Sequence, residues 1–339
     1  MEDRHPATES ARGELVTVAV PARNEERFIG ACLDSILAQE GCDLQVVVVD
    51  GASTDHTGDI VRSYSARDSR VELVDNAAAI TPTSLNCALK AARGRWFVRV
   101  DAHSTVPSGY VARAVQHLAS EKWAGVGGRK DGVGNTPAGQ AIAAVMSSRF
   151  GVGDSLYHYG TQTAEVDHVP FGAYVTGTLR ELGGWDNRLV TNQDFELDYR
   201  LRQRGHKLLF DPALRIEWHC RQSIPDLFRQ YRRYGKGKVD VALLHPTSLR
   251  MRHLIPPLFV IACGIGAAAV VVRNRRVAAA VFLPYAAALT VASTVTGRKL
   301  QRAARVYVPL SFAAMHFGWG VGFVESLGRH LLRNKTSEG

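Results

Sequence analysis

The run Arg95-Trp-Phe-Val-Arg-Val-Asp-Ala-His103 decides the fold. Its apolar core reads as a buried strand that carries Asp101 and His103 to the point where the backbone leaves a sheet. Residues i and i+2 of an extended segment point to the same side. A carboxylate and an imidazole can therefore converge on one divalent ion or one nucleotide. Alone, Asp-x-His is equally well explained as a strand-end turn, so its weight comes from what surrounds it.

Working outward, Leu15–Val20 and Leu44–Val49 are short β-branched runs that read as buried parallel strands. Between them Phe28, Ile29, Cys32, Leu33, Ile36 and Leu37 recur at helical spacing, completing a β-α-β unit. The alternation continues with a helix over Thr57–Ala66, a strand at Val71–Val74, a helix over Ser84–Ala92 and the Trp96–Val100 strand. Pro107 stands near the start of a further helix. This predicts an open, mostly parallel sheet with helices on both faces and ligands at the carboxyl ends of its strands. Past residue 130 the regularity fails. Gly132–Asn135 and Gly151–Tyr159 read as irregular stretches around a helix at Pro137–Phe150, and Asn192–Arg204 reads as another helix.

The formal net charge of +9 suggests nucleic acid until it is located. From Arg250 onward there are 12 Lys/Arg against 2 Asp/Glu, which leaves the rest of the chain near neutral. The excess flanks apolar segments, as lipid head groups favour, and nucleic-acid binding loses its support. Five scattered cysteines without Cys-x-x-Cys spacing read as reduced thiols. Residues 1–13 are polar and read as a disordered tail without a signal peptide, so the N-terminal domain is expected to face the cytoplasm. The apolar stretches 254–272, 277–296 and 306–324 are each long enough to cross a hydrocarbon core of about 30 Å. Pro256-Pro257 leaves room for a re-entrant first segment. The expected layout is an α/β domain at 14–220, an amphipathic interfacial segment at 221–253, a membrane domain of about three helices at 254–324 and a basic tail at 325–339. A multi-pass protein of the cytoplasmic membrane is expected. The polar motifs lie before residue 246, so truncation before Leu254 is expected to leave a folded domain that keeps them.

The strand ends carry the chemistry. Pro21-Ala-Arg-Asn-Glu-Glu-Arg27 closes the first strand and Asp50-Gly-Ala-Ser-Thr-Asp-His-Thr57 the second, on the same edge as Asp101-Ala-His103. Asp50 can accept from a base N–H or a ribose hydroxyl, with Gly51 relieving the turn. The alternative is a turn with helix caps from Ser53 or Asp55. No Gly-x-Gly-x-x-Gly follows the first strand, which excludes a dinucleotide-dependent oxidoreductase.

This ordered set resembles the family 2 glycosyltransferases of the GT-A nucleotide-diphospho-sugar transferase fold. More narrowly, it is similar to the β-glucosyltransferase group of succinoglycan biosynthesis. Pro21–Glu25 matches the first nucleotide-binding segment, Asp50–Asp55 the Asp-Gly-x-Ser-x-Asp turn, and Asp101-Ala-His103 the Asp-x-Asp motif with histidine last. Phe171-Gly-Ala-Tyr174, Gly183-Gly-Trp-Asp186 and Asn192–Arg202 follow in the family's order. The resemblance implies a nucleotide-diphospho-sugar donor, UDP-linked, bound by Pro21, Arg23, Asn24, Glu25, Asp50, Gly51, Ser53, Asp55 and Asp101. It implies Mg²⁺ or Mn²⁺ held by Asp101 and His103, with His219 as a further contact or a buried structural histidine. It places Asp194 as the general base of an inverting transfer to a lipid-linked or growing saccharide, although an Asp in a helix's first turn is also favoured by the dipole alone. Asp198 reads as a salt-bridge partner for Arg202. Gln230-Tyr-Arg-Arg-Tyr234 is similar to the Gln-x-x-Arg-Trp motif of processive members, or else marks an interfacial helix. Competing readings are a polyprenyl-phosphate glycosyl synthase and a non-catalytic membrane adaptor with a transferase fold.

Overall fold

The β-branched runs form the middle of the sheet. β1 (Leu15–Ala22) is followed by α1 (Ile29–Leu37), β2 (Asp43–Asp50), α2 (Thr57–Arg67), β3 (Val71–Asp75), α3 (Thr81–Ala91) and β4 (Trp96–Arg99). The computed structural model describes residues 13–337. The expected N-terminal tail therefore lies almost wholly outside the described residues, as do positions 338 and 339 of the basic tail. The chain divides into two compact units, one built from residues up to Asp131 with Gly160–Trp218, the other from Gly132–Tyr159 with residues from His219 onward. The stretch 132–159, read from sequence as part of the 14–220 domain, thus groups with the C-terminal helices.

In the first unit β3, β2, β1 and β4 are parallel and neighbours in that order. β2 is buried continuously from Leu44 to Val49, so its sequence shows an unbroken apolar run instead of alternation. α1 buries Ile29, Cys32, Leu33 and Ile36, an i, i+3, i+4, i+7 stripe. Beyond β4 come β5 (Ser104–Thr105), α4 (Tyr110–Ala119), β6 (Gly125–Val133), then α5 (Pro137–Met146) and α6 (Arg149–Val152) of the second unit. β7 (Ala164–Val166), β8 (Ala173–Val175), α7 (Thr176–Glu181), α8 (Gln193–Gln203) and β9 (Leu208–His219) complete the series. The order continues β4-β8-β6-β9-β5, with β8 antiparallel to both β4 and β6, and β5 and β7 antiparallel to β9.

Two local expectations change. Residues 132 and 133 extend strand β6 instead of forming a loop, and the helix from Pro137 breaks at Met146 before α6. In β6 glycine is a packing requirement: a Cβ on Gly128 would collide with the backbone of Leu214.

In the second unit α9 (Ile224–Leu244), α10 (Met251–Val271), α11 (Arg275–Gly297), α12 (Arg302–Arg305) and α13 (Val308–Ser337) follow. Among the described residues α10 and α11, two helices instead of three, are long and apolar enough to cross a membrane. Ile255, Leu258, Leu283 and Val291 on them are exposed, as lipid-facing residues would be. α10 runs through Pro256 and Pro257 as one continuous helix. The third apolar stretch begins α13 and buries Val308, Phe312, Met315 and Phe323. Its partner is α9, in the segment expected to lie at an interface. A Cβ on Gly322 would collide with Arg232 O and one on Gly318 would meet Phe228 O, so the two backbones approach closely. Arg232 makes a bidentate pair with Glu325 at 2.8–3.1 Å, and Lys236 reaches the same carboxylate at 3.1 Å. α5 also meets α13, and Phe150 stacks edge-on to Phe312 at 5.1 Å.

Candidate active site

Register brings the polar strand ends to one level. Ala22 pairs with Asp50 across β1 and β2, and Ala19 pairs with Arg99 across β1 and β4. The loops after β1 and β2 are then stitched together. Asn24, held at φ 56°, donates its N–H to Ser53 Oγ at 2.9 Å and accepts from Thr54 N at 2.8 Å. Glu25 N donates to Thr57 Oγ1 at 2.8 Å, and Glu26 N to Asp55 Oδ2 at 3.2 Å. Asp55 Oδ1 accepts from the amide and hydroxyl of Thr57 at 3.0 and 2.6 Å. Both oxygens of Asp55 and the hydroxyl of Ser53 therefore serve the loop architecture. Asp50 Oδ1 closes the turn by accepting from Ser53 N and Oγ at 3.0 and 2.5 Å. Gly51 N donates to Ala22 O at 2.8 Å, and exposed Arg23 donates to Ala79 O at 3.1 Å. Pro21 lies within β1, just before these loops.

Asp101 and His103 leave β4 beside them. His103 Nδ1 lies 2.9 Å from Glu25 Oε1, and Trp218 Nε1 lies 2.9 Å from His103 Nε2. An indole N–H can only donate, so Nε2 is the accepting nitrogen and Nδ1 carries the proton toward Glu25. A metal-ligating histidine has this character: one nitrogen donates to a carboxylate and the other presents a lone pair. Asp101 Oδ1 accepts from Arg99 at 2.8 Å, and among the described residues no protein group reaches its Oδ2. A carboxylate oxygen and an oriented imidazole fit a hard divalent ion that completes its shell with diphosphate oxygens. The Trp218 N–H occupies the position such an ion would take, so the indole must move for His103 to ligate. Among the described residues no group of three or more potential ligands is preassembled. His219 closes β9 in the second unit, half-buried.

Asp194 sits in the first turn of α8, after Asn192 at φ 60°. Arg99 NH1 donates to its Oδ2 at 2.5 Å and Trp185 Nε1 to its Oδ1 at 3.0 Å. Gly183 and Gly184, at φ 78° and 70°, make the left-handed turn that aims Trp185 inward. Arg99 is 5% exposed; burial works against its charge, but Asp101 and Asp194 more than offset this and hold the guanidinium firmly protonated. One buried cation thus bridges the expected donor-side carboxylate and the expected base. Sequence reading missed Arg99, Trp185 and Trp218, whose contacts lie 9 to 115 residues away in the chain.

The neighbouring acids are engaged elsewhere. Buried Glu196 pairs with Arg200 at 2.6 Å. Asp198 does not meet Arg202, whose Nε donates to Asp167 O instead. Fully buried, Asp198 accepts from His168 Nδ1 at 2.7 Å, Val169 N at 2.8 Å and Tyr174 OH at 3.0 Å. Burial pushes its carboxyl upward, and the Tyr174 hydroxyl is also held protonated by burial and by Asp198. Removing that acceptor strands three donors in the core. Asp198→Ala is expected to lower stability by about 3 kcal/mol, measured by thermal unfolding; an unchanged Tm would contradict this assignment.

Residues 17–167 match the sequence profile of Glycosyl transferase family 2. Over 321 residues, 91% of this chain and 94% of the relative, the chain is 28% identical to succinoglycan biosynthesis protein ExoA of Rhizobium meliloti (strain 1021). It is 24% identical over 234 residues, 66% of this chain and 73% of the relative, to the dolichyl N-acetyl-alpha-D-glucosaminyl phosphate 3-beta-D-2,3-diacetamido-2,3-dideoxy-beta-D-glucuronosyltransferase of Methanococcus voltae. A solved structure of the mannosyltransferase PcManGT from Pyrobaculum calidifontis, in complex with GDP-Man and Mn²⁺, superposes with a TM-score of 0.62 at 22% identity, covering 95% of this chain and 90% of that one. That likeness is one of fold and agrees with the GT-A sheet described above. The sequence matches make this chain a glycosyltransferase with a family 2 domain at residues 17–167.

Proposed function

We propose that the enzyme transfers a hexose, glucose in the first instance, from a UDP-linked donor to a lipid-linked or growing saccharide in exopolysaccharide synthesis, with inversion at the anomeric carbon. The observation that carries this reading is the convergence of Asp101 and Asp194 on buried Arg99, beside the stitched loops after β1 and β2. The donor nucleotide lies over those loops, with Pro21, Arg23, Asn24, Glu25, Asp50 and Gly51 as its contacts, and with Ser53 and Asp55 shaping the turn. Asp194 accepts the proton of the attacking hydroxyl, held in place by Arg99 and Trp185. Asp101 and His103 would hold a divalent cation, which would supply charge neutralisation for the departing diphosphate. Glu25 fixes the His103 tautomer for that task.

Relatives named for succinoglycan biosynthesis and for transfer to a dolichyl-phosphate-linked sugar support an acceptor in surface polysaccharide or on a lipid carrier. We assign α10 and α11 to the cytoplasmic membrane, with the catalytic unit on the cytoplasmic side.

A donor screen on purified membranes tests the reading. UDP release from UDP-glucose, stimulated by Mg²⁺ or Mn²⁺ and reduced at least about tenfold by excess EDTA, is the expected result. Full activity in EDTA removes the cation. GDP release from GDP-mannose in place of UDP release overturns the donor, and no release from any nucleotide sugar restores the non-catalytic reading.

A further inference from the structure

We propose that Arg99 is a positioning residue that sets the separation of Asp101 and Asp194 and keeps Asp194 aimed; this rests on the reading of those two carboxylates given above. Three observations carry it. The guanidinium uses separate nitrogens for the two acids: Nε and NH2 face Asp101 Oδ1 and NH1 faces Asp194 Oδ2. It is buried, with its side chain 6% exposed, so solvent cannot replace either bond. Its plane also lies near the Phe171 ring, 5.3 Å from the centroid, while Trp185 fixes the other oxygen of Asp194.

The fork geometry gives the residue its role. A planar guanidinium holds two carboxylates at fixed angles, whereas an ammonium is a point charge that can satisfy only one of them well. The donor side and the base are therefore linked through one side chain on β4, two residues before the Asp-x-His motif. Displacement of reacting groups by about 1 Å can cost on the order of 10²-fold in rate.

Arg99→Lys in the full-length, membrane-bound enzyme is the central test, with UDP-glucose as donor and UDP as binding probe. The variant is expected to keep the wild-type Tm and UDP affinity within about threefold, and to lose kcat on the order of 10²-fold. Arg99→Gly is expected to lose more, and guanidinium ion at tens of millimolar is expected to restore part of its kcat. A role confined to stability would instead lower Tm and give no guanidinium rescue. Wild-type kcat in Arg99→Lys, or a change confined to KM, overturns the proposal. The Asp194→Asn variant separates the two levels: if it turns over normally, the reading of the base has failed. If it is inactive while Arg99→Lys is normal, only the role of Arg99 has failed.

Discussion

Replacing Asp194 with asparagine is expected to leave UDP and UDP-sugar binding within about threefold of wild type and to lower kcat on the order of 10²-fold or more. The amide is nearly isosteric, so Trp185 can still donate to the side-chain oxygen as it does at 3.0 Å in the native site. What changes is basicity, because an amide takes no proton at neutral pH. Glu196 and Asp198 cannot substitute: the first is held by Arg200, and the second accepts from three donors in the core. Steady-state UDP release and calorimetric UDP binding, measured on the same preparation, check both halves. Near-wild-type turnover would move the base elsewhere.

The second large effect concerns the tail. The motif distribution suggests that a fragment ending before Leu254 keeps a folded domain, and the packing of the second unit argues otherwise. That cut removes α13, against which α9 and α5 lie. Phe312, Met315, Val308 and Phe323 are buried on it, each worth about 1.5–3 kcal/mol. Arg232 and Lys236 would also lose Glu325. The fragment is expected to aggregate through the uncovered faces of α5 and α9. A monodisperse fragment with a sharp thermal transition would show that α13 is dispensable.

The comparison of sequence with structure turns on the range of each signal. β1, β2 and β4 are legible because burial on both faces leaves unbroken apolar runs with polar ends. β6 is not, since Gly125, Gly127 and Gly128 interrupt any such run. They are glycine because Tyr174, Val169 and Leu214 leave no room for a Cβ. Asp198 looks like the i,i+4 partner of Arg202, but its real partners stand 24 to 30 residues upstream, where no local spacing can show them. Arg99 lies in the most informative run of the chain, yet a charged residue within a strand reads as solvent-facing. Its burial depends on Asp194, 95 residues away. The third apolar stretch passes on length and apolar content alone, while its glycines at 318, 320 and 322 carry the signal for close contact with another helix.

The meeting of α5 with α13 also sets an order of events in biosynthesis. A ribosome completes α5 roughly 160 residues before it begins α13, and at about 5–20 residues per second the interval is on the order of 10–30 s. Throughout it, α5, which buries Ile142 and Val145 in the finished protein, lacks α13 as a neighbour. The first unit can close its sheet once β9 emerges, but the second waits for nearly the whole chain. The nascent protein thus carries an apolar helix that stays uncovered on one side until α13 emerges, and α10 and α11 are complete before its final burial.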